Sequence, residues 1–385
     1  MPSNKKIGIV ANTAFNIFNF RLGLIEQLQL NGYKVIAIAP EDDYTKLLQE
    51  KNIEFVAVNQ LARKGTNPWK DFLLMNELRK IYRQYQLDAV LQYTIKPNIY
   101  GTLAAKFSGT KTICTVTGLG YTFLNENWVS KIAHQLYKLA FSTADVVLFQ
   151  NKDDLKIFIE EKLVDHEKTQ LIPGSGIDTE KFHPDFCKQE KSDINFHPTP
   201  TEKIRFLMIG RLLKDKGVYE YIEAAKQILL EHKNVEFLLL GDIDNDNPTA
   251  IKQAELEHWV NEKIIIYIPH QKDIRPFICQ ADCVVLPSYR EGMPRVILES
   301  MAMAKPCITT DTAGCRDAVV DNETGFICEV ENAIALQQSI AKFINLPQTQ
   351  KQSLGINARV RAERIFSQQI VIKQYQKLLE KLLSF

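Results

Sequence analysis

The amino-acid sequence predicts an α/β protein with two domains, each a doubly wound parallel sheet, facing each other across a cleft. Short apolar segments rich in β-branched residues alternate with amphipathic segments; the alternation stops at a polar stretch near mid-chain and then resumes. Strands that helices cover on both faces have such continuous apolar sequences. A length of 385 residues also exceeds what one hydrophobic core usually supports.

The first domain is predicted at residues 1–185. Helices are indicated at 21–30, which Asn31-Gly32 closes, and at 72–85, which follows Pro68. Because parallel strands need a crossover connection, the repeated order of strand and helix predicts a Rossmann-like sheet. The predicted strands are short and mostly apolar, at 7–11, 35–39, 55–58, 89–92, 112–116 and 146–149.

A linker is predicted at 186–202, because the region from 178 to 200 contains three prolines and little periodic apolar content. A second Rossmann-like domain is predicted at 203–365, and the last segment, 366–385, contains an amphipathic helix at 368–383. In the second domain, strands are predicted at 204–209, 235–240, 264–268, 283–286 and 307–310, and helices at 219–230, 296–304 and 333–344.

Composition limits the classes of partner and compartment. With 47 Lys and Arg against 46 Asp and Glu, the chain has no overall charge that would recruit nucleic acid. The seven cysteines are scattered and odd in number, which predicts reduced thiols, with Cys279 and Cys283 as core residues. The N-terminus lacks a signal-peptide core and no apolar run approaches bilayer-spanning length, so a cytoplasmic protein is expected.

The strongest chemical signal is the segment Glu291-Gly292-Met293-Pro294-Arg295-Val296-Ile297-Leu298-Glu299, which follows a predicted strand and begins a helix. Glu291 and Glu299 can both project toward a ligand over the helix N-terminus, where unpaired N–H groups favour a phosphate. Gly292 permits close backbone approach, and Pro294 suits the first helical turn. Carboxylates accept hydrogen bonds from paired hydroxyls such as those of a nucleotide sugar. The spacing alone fits equally well with a solvated Glu299 and with a Glu291 that only complements the helix dipole.

The second signal is the segment Gly210-Arg211-Leu212-Leu213-Lys214-Asp215-Lys216-Gly217, directly after the first strand of the second domain. Open α/β sheets bind ligands at the carboxyl ends of their strands. Arg211 can bind diphosphate oxygens in a bidentate manner while Lys216 adds a point charge, and both would stabilise a departing nucleoside diphosphate. Taken alone, the segment is more typical of a solvated basic turn than of a diphosphate site.

Together the two motifs resemble those of the GT4 family of retaining glycosyltransferases, as does the segment 176–184, which is similar to the interdomain signature of that family. The resemblance implies a GT-B fold whose last helix crosses back to the first domain. It further implies retention of the anomeric configuration, no required metal, and no cofactor besides the nucleotide sugar substrate, expected to be a UDP-sugar. Leaving-group stabilisation would then dominate catalysis.

By the same resemblance, Arg211 and Lys216 hold the diphosphate, Glu291 holds the hydroxyls of the transferred sugar, and Glu299 holds the ribose. Arg211, Lys216 and Glu291 are the candidate catalytic residues. The full donor set is Gly210, Arg211, Lys216, Glu291, Gly292, Met293, Pro294 and Glu299. The sequence departs from the family at two loops: 11–16 lacks the usual glycine pair, and 93–98 lacks the usual histidine, so no general base is assigned.

The acceptor is expected to bind the first domain, at loops that combine aromatic residues with Arg and Lys. Such loops suit a sugar joined through a diphosphate to a lipid at a membrane interface. They resemble the bacterial GT4 branch that extends undecaprenyl-diphosphate-linked sugars, which implies a lipid-linked acceptor and peripheral contact with the inner face of the cytoplasmic membrane. The candidate acceptor residues are Asn16, Phe18, Arg21, Arg63, Lys64, Lys96, Asn98 and Gly118.

Three further interpretations stay open at this point. The apolar stripe at 128–140 can lie on lipid, although packing on the first sheet is favoured. A sugar-nucleotide 2-epimerase of the same architecture would need acid and base carboxylates and a histidine in the cleft, and we recognise no such set. A catalytically silent interaction protein would have no need for Arg211, Lys216, Glu291 and Glu299 together.

Overall fold

The computed structural model describes residues 5–61, 67–119, 128–189 and 203–384. The chain divides into two compact units, unit 1 with residues 1–176 and 368–385 and unit 2 with residues 177–367. Each unit contains one parallel sheet, of seven strands in unit 1 and six strands in unit 2. The predicted fold class of two parallel α/β domains is therefore confirmed. The division falls at Gly176–Ile177, earlier than the predicted boundary at 185.

The sheet of unit 1 has the strand order β3-β2-β1-β4-β5-β6-β7. All its strands are parallel, and the order in which they are added along the chain reverses between β1 and β4. Its strands are β1 (Lys6–Val10), β2 (Lys34–Ala39), β3 (Glu54–Ala57), β4 (Ala89–Tyr93), β5 (Lys111–Val116), β6 (Val146–Phe149) and β7 (Thr169–Leu171). Its first helices are α1 (Ala14–Leu30), α2 (Thr45–Glu50), α3 (Pro68–Tyr85), α4 (Thr102–Ser108), α5 (Trp128–Thr143) and α6 (Lys152–Glu160), and a π-helical turn at Pro97–Gly101 precedes α4.

The sheet of unit 2 has the order β10-β9-β8-β11-β12-β13 and reverses between β8 and β11. Its strands are β8 (Ile204–Ile209), β9 (Val235–Leu240), β10 (Ile266–Ile268), β11 (Cys283–Leu286), β12 (Cys307–Thr310) and β13 (Gly325–Cys328). Its helices are α7 (Phe186–Gln189), α8 (Val218–Glu231), α9 (Gln253–Asn261), α10 (Arg275–Gln280), α11 (Arg295–Ala302), α12 (Cys315–Ala318), α13 (Ala333–Ile344) and α14 (Gln348–Arg361).

The last helix, α15 (Gln368–Leu383), belongs to unit 1, as the resemblance implied. Its buried residues Val371, Tyr375 and Leu379 share one core cluster with Ile7 and Ile9 of β1. Val10 of the same strand packs in a different cluster, with residues of α3. Because β1 is covered on both faces, its sequence is apolar without alternation.

Two expectations need correction. The helix predicted at 21–30 begins earlier, at Ala14, because the hydroxyl of Thr13 accepts a hydrogen bond from the Asn16 backbone N–H and caps the helix there. Cys187 and Cys279 form a disulfide across 92 residues, so they are not reduced thiols. The predicted linker begins with the helix α7, and its residues 190–202 lie outside the described part of the chain.

Within the part of the chain that the structure describes, no helix combines the length and the apolar content needed to cross a bilayer.

Candidate functional site

Both predicted donor motifs lie at the reversal point of the second sheet. The loop 210–217 follows β8, and the loop 287–294 follows β11, the neighbouring strand. The carboxyl ends of parallel strands at such a reversal form a crevice that binds ligands. The strand order therefore brings together, at one edge of the sheet, two segments that are far apart in sequence: Lys216 and Glu291 are separated by 75 residues.

Lys216 and Glu291 contact each other directly. The ammonium of Lys216 donates a short hydrogen bond to Glu291 Oε1, and the Ser288 hydroxyl donates to the same oxygen at 2.6 Å. The two charged side chains are only 22% and 14% exposed. Water screens such a pair less than a surface pair, so Lys216 is not part of a solvated basic turn. The sequence did not indicate Ser288.

The two donor loops are packed backbone to backbone. Gly217 has a φ of 76°, and a Cβ there would lie 2.1 Å from the carbonyl oxygen of Pro287. The backbone N–H of Tyr289 donates to the carbonyl of Asp215 at 2.9 Å. Only glycine allows the two backbones to come this close. The close packing of the two loops holds Lys216 beside the loop that carries Glu291.

A third loop, after β12, holds the loop that carries Glu291. The hydroxyl of Thr312 donates to the Tyr289 carbonyl at 2.8 Å, and the Glu291 N–H donates to the Ala313 carbonyl at 3.1 Å. Gly314 has a φ of 77°, and a Cβ there would lie 2.6 Å from the carbonyl oxygen of Gly292. Sequence reasoning missed this support, whose only signal is a Thr- and Gly-containing segment directly after a strand.

Glu299 lies in α11 and is 8% exposed, so it is not a solvated helix residue. Arg295 Nε donates to its Oε1 at 2.7 Å. Burial raises the pKa of the Glu299 carboxyl, and the charge and hydrogen bond of Arg295 partly oppose this shift. Pro294 is the N-cap residue of α11, and both Pro294 and Gly292 are buried. Met293 is partly buried and packs against the core cluster that contains Ile297.

Arg211 lies at the same sheet edge but has a different partner. Its Nη1 donates to Asp244 Oδ2 at 3.0 Å, and half of its side chain is exposed. The adjacent Gly210 has open space where a Cβ would stand. Because half of the Arg211 side chain is exposed, it can turn toward a ligand by exchanging its ion pair with the less exposed Asp244.

In unit 1, three candidate acceptor residues lie on α1. Phe18 packs its ring 5.6 Å from that of Tyr44, and the Oδ1 of Asn16 is buried without a hydrogen-bond partner. Arg21 is only 4% exposed, and its guanidinium carbon lies 3.8 Å from the centroid of the Tyr93 ring. Its Nε has no partner, and among the described residues no carboxylate forms an ion pair with it. A buried cation without an anion is costly unless a ligand supplies one.

The loop after β4 adds further unsatisfied groups. The Asn98 amide donates to the Thr115 carbonyl at 2.9 Å, but its Oδ1 has no partner. The Thr94 hydroxyl is also buried and unpaired, and Thr94 has a φ of 71°, a strained conformation for a β-branched residue. Thr115 is hydrogen-bonded to Tyr375 of α15 at 2.7 Å. Buried polar atoms are normally paired, so this cluster at the carboxyl edges of β1 and β4 indicates a ligand site.

Lys96 has a structural role that its position in the sequence does not reveal. Its ammonium donates to Asp71 Oδ1 at 2.8 Å, and Tyr100 donates to the other oxygen of the same carboxylate at 3.0 Å. Lys96 therefore neutralises a buried carboxylate, and its predicted role in acceptor binding stays a prediction. The remaining candidate acceptor residues are Gly118, Arg63 and Lys64. Gly118 has a φ of 122°. Arg63 and Lys64 lie outside the described residues.

We expect replacement of Arg21 by methionine to raise the KM for the acceptor by about tenfold, because a charged hydrogen bond to a ligand contributes roughly 1.5–3 kcal/mol. The melting temperature should stay unchanged or rise, since the variant removes an unpaired buried charge. Ligand binding by unit 2 serves as the internal control and should not change. A lower melting temperature with an unchanged acceptor KM would show that Arg21 only supports the fold.

The chain matches two family descriptions, "Glycosyl transferase 4-like" at residues 6–151 and "Glycosyl transferases group 1" at residues 189–361. It is 29% identical over 384 residues, 98% of this chain and 99% of the relative, to the N,N'-diacetylbacillosaminyl-diphospho-undecaprenol alpha-1,3-N-acetylgalactosaminyltransferase of Campylobacter jejuni. It is 27% identical over 266 residues, 68% of each chain, to the UDP-Gal:alpha-D-GlcNAc-diphosphoundecaprenol alpha-1,3-galactosyltransferase of Escherichia coli. Sucrose-phosphate synthase from Thermosynechococcus elongatus is similar in fold, with a TM-score of 0.80 at 18% identity over 99% of both chains.

Proposed function

We propose a specific transfer reaction for this chain, which belongs to the GT-B glycosyltransferases, with a glycosyl transferase 4-like domain followed by a group 1 domain. A hexose or N-acetylhexosamine passes from a UDP-sugar, bound by unit 2, to a sugar joined to undecaprenol through a diphosphate. The product enters a bacterial surface glycan or the glycan of a glycoprotein. Because the acceptor is a lipid, the enzyme works in peripheral contact with the inner face of the cytoplasmic membrane.

The observation that carries the donor side is the partly buried pair of Lys216 and Glu291 at the reversal point of the second sheet. A cation and a carboxylate at one place suit a ligand that presents a diphosphate next to sugar hydroxyls. Lys216 faces the diphosphate, Arg211 reaches it from its ion pair with Asp244, and Glu291 accepts hydrogen bonds from the hydroxyls of the transferred sugar.

Charge stabilisation by Lys216 and Arg211 lowers the barrier without a metal ion in this proposal. The acceptor hydroxyl oxygen bonds to the anomeric carbon while the bond from that carbon to the diphosphate oxygen breaks, and the electron pair leaves with UDP. Positive side chains stabilise the charge that develops there. The departing phosphate oxygen takes the hydroxyl proton. When attack and departure occur on the same face of the sugar, the anomeric configuration is retained.

Two observations support the acceptor. Both relatives described above are named for acceptors in which a sugar is joined to undecaprenol through a diphosphate, and one is named for a UDP-Gal donor. In unit 1, the guanidinium of Arg21 donates to the Phe20 carbonyl at 3.4 Å but keeps an unpaired Nε that can bind an anionic group, and the unpaired oxygens of Thr94 and Asn98 can bind sugar hydroxyls.

The test is to incubate the purified protein with UDP-N-acetylgalactosamine, UDP-N-acetylglucosamine, UDP-galactose and a GDP-sugar, each with an undecaprenyl-diphosphate-linked sugar. Mass spectrometry of the lipid product should show addition of one sugar from a UDP donor, and NMR of the new linkage should show retention. Release of an epimerised donor sugar without transfer, or tight donor binding without any turnover, would contradict the proposal.

Replacement of Glu299 by glutamine tests the assignment of the ribose. We expect the KM for the donor and the Kd for UDP to rise about tenfold with little change in kcat, because ribose contacts are equal in the ground and transition states. The control is Glu257→Gln, an exposed glutamate of α9.

Glu299→Gln should also change the pH dependence of stability. Burial raises the pKa of Glu299 in the folded protein above its value in the unfolded chain. Between the ordinary glutamate pKa and this raised value, the folded state binds more protons than the unfolded state. The contribution of Glu299 to the free energy of unfolding therefore falls as the pH rises through this range. That decrease should be absent from Glu299→Gln in urea titrations at several pH values. An identical slope in both proteins would show that Glu299 titrates normally.

A further inference from the structure

The side of unit 1 formed by α3, α4 and α5 exposes an unusual number of large apolar residues. These helices are neighbours, α3 against α4 and α4 against α5, so their outer faces make one surface, which we call the α3–α4–α5 surface. Two of the three tryptophans of the chain, Trp69 and Trp128, lie on it and are each 68% exposed, whereas Trp259 is buried. The exposed apolar residues of the surface are Trp69, Phe72, Leu73, Phe107, Trp128, Ile132 and Leu139.

The same surface carries a strong positive charge. The three helices contain seven Lys and Arg but only two Asp and Glu, in a chain whose net charge is +1. Neither acid compensates the exposed cations, because Asp71 is paired with Lys96 and Glu77 accepts hydrogen bonds from the backbone N–H groups of Asn59 and Gln60. Six of the basic residues are exposed and one, Arg79, is partly buried. They are Lys70, Arg79, Lys80, Arg83, Lys106, Lys131 and Lys138.

Helix α5 shows how the apolar stripe at 128–140 divides between two faces. Tyr137 and Ala140 are buried against the core of unit 1, which confirms packing for part of the stripe. Trp128 and Ile132 point outward instead, together with Leu139. Apolar residues remain on the outer face after the inner face has supplied the core contacts, so core packing does not explain them.

The position of the two tryptophans relates this surface to the acceptor site. Trp69 lies in the first turn of α3, which follows β3, and Trp128 begins α5, which follows β5. A helix that follows a parallel strand starts at the carboxyl edge of the sheet. That edge also carries the unpaired groups of Arg21 and Asn98.

We propose that the α3–α4–α5 surface docks on an anionic phospholipid bilayer, an inference that rests on the lipid-linked acceptor proposed above. Tryptophan favours the boundary between headgroups and acyl chains, where its ring is apolar and its N–H remains solvated. The lysines attract anionic headgroups, and their aliphatic stems lie along the apolar residues. A protein partner would need an extended acidic face, whereas a bilayer containing anionic lipid supplies both the charge and the apolar layer.

The first experiment measures cosedimentation of the full chain with vesicles of phosphatidylcholine, with or without phosphatidylglycerol. We expect binding only with phosphatidylglycerol and weaker binding at high salt. Lys131→Gln and Lys138→Gln should each weaken binding about fivefold, which corresponds to about 1 kcal/mol per charge near the surface. Trp69→Ser with Trp128→Ser should weaken it by at least about tenfold. The control is Leu30→Ser, which removes an apolar side chain of α1 that is even more exposed, at 80%, and lies outside the α3–α4–α5 surface.

The second experiment separates docking from catalysis. Each variant is assayed with the sugar acceptor on undecaprenyl diphosphate in vesicles and with the same sugar diphosphate on a short, water-soluble chain. The tryptophan and lysine variants should lose transfer to the vesicle acceptor and keep transfer to the soluble one. If the wild type, the lysine variants and the tryptophan variant all bind vesicles equally, the proposed docking surface is wrong even if transfer occurs. Absence of transfer by wild type to either acceptor overturns the proposed function, whereas lipid binding that depends on these residues would still support the docking surface.

Discussion

Replacement of Lys216 by alanine is expected to lower kcat/KM by about 10²–10³-fold, or roughly 3–4 kcal/mol, the usual effect of removing one charge-stabilising donor from a transition state. The loss should appear mainly in kcat, because the charge on the diphosphate oxygen grows as the bond to the sugar breaks. The partly buried carboxylate of Glu291 keeps its hydrogen bond from Ser288 in the variant, so the loop should stay folded. Steady-state kinetics with the UDP-sugar and thermal unfolding measure the two effects.

Lys214 provides a matched control for this variant. It lies on the same short 3-10 turn as Lys216 and is exposed. Lys214→Ala removes the same charge from nearly the same place and should change kcat/KM less than threefold, as expected for a screened surface charge. A double-mutant cycle with Glu291→Gln should show strong coupling, since the two side chains are bonded to each other. Additive effects, or equal losses for Lys214 and Lys216, would remove the pair from the mechanism.

The position of the candidate donor residues at the sheet edge could be predicted from the sequence, because each belongs to a local pattern. Lys216 and Glu291 lie in loops directly after strands, so the rule that ligands bind at the carboxyl ends of strands applied to each motif separately. Their contact with each other could not be predicted from the spacing. It depends on the strand order, in which β8 and β11 become neighbours although β9 and β10 lie between them in sequence.

The contacts that the sequence did not indicate have one physical origin. Lys96 is predicted as an acceptor residue from its loop, and nothing in the sequence signals its ion pair with Asp71, 25 residues earlier on α3. Cys187 and Cys279 were not predicted to pair, because a separation of 92 residues carries no signal of proximity. Arg21 was predicted from its place near a strand end, yet its burial against Tyr93 follows from α1 starting earlier than the pattern indicated. Sequence patterns specify local structure, whereas these contacts depend on tertiary packing.

Gly314 illustrates the kind of site residue that the sequence did not reveal. It touches no expected ligand position and carries no functional group. Its backbone lies against the loop of Glu291, where a Cβ would stand 2.6 Å from the Gly292 oxygen and 2.7 Å from the Glu291 oxygen. These are backbone atoms, which cannot rotate away as the end of a flexible side chain can. Any larger residue must therefore move the donor loop.

We expect Gly314→Ala to lower kcat/KM by about 10²-fold, because displacing a catalytic group by about 1 Å has effects of that size. The φ of 77° adds a backbone cost of roughly 1–2 kcal/mol for any residue with a Cβ, so the melting temperature should fall as well. Kinetics, thermal unfolding and the Kd for UDP are measured on the same preparation, at a temperature where the variant is folded.

Gly355→Ala separates the two effects. Gly355 lies in α14, where a Cβ would stand 2.2 Å from the Ala304 carbonyl oxygen, and it belongs to none of the three loops around Glu291. This variant should lower the melting temperature by a comparable amount and leave the kcat/KM of the folded enzyme near that of wild type. If both variants lose stability and neither loses activity, then Gly314 only stabilises the fold. If only Gly314→Ala loses activity, the loop after β12 positions Glu291, and with it the ion pair to Lys216 on which donor activation depends.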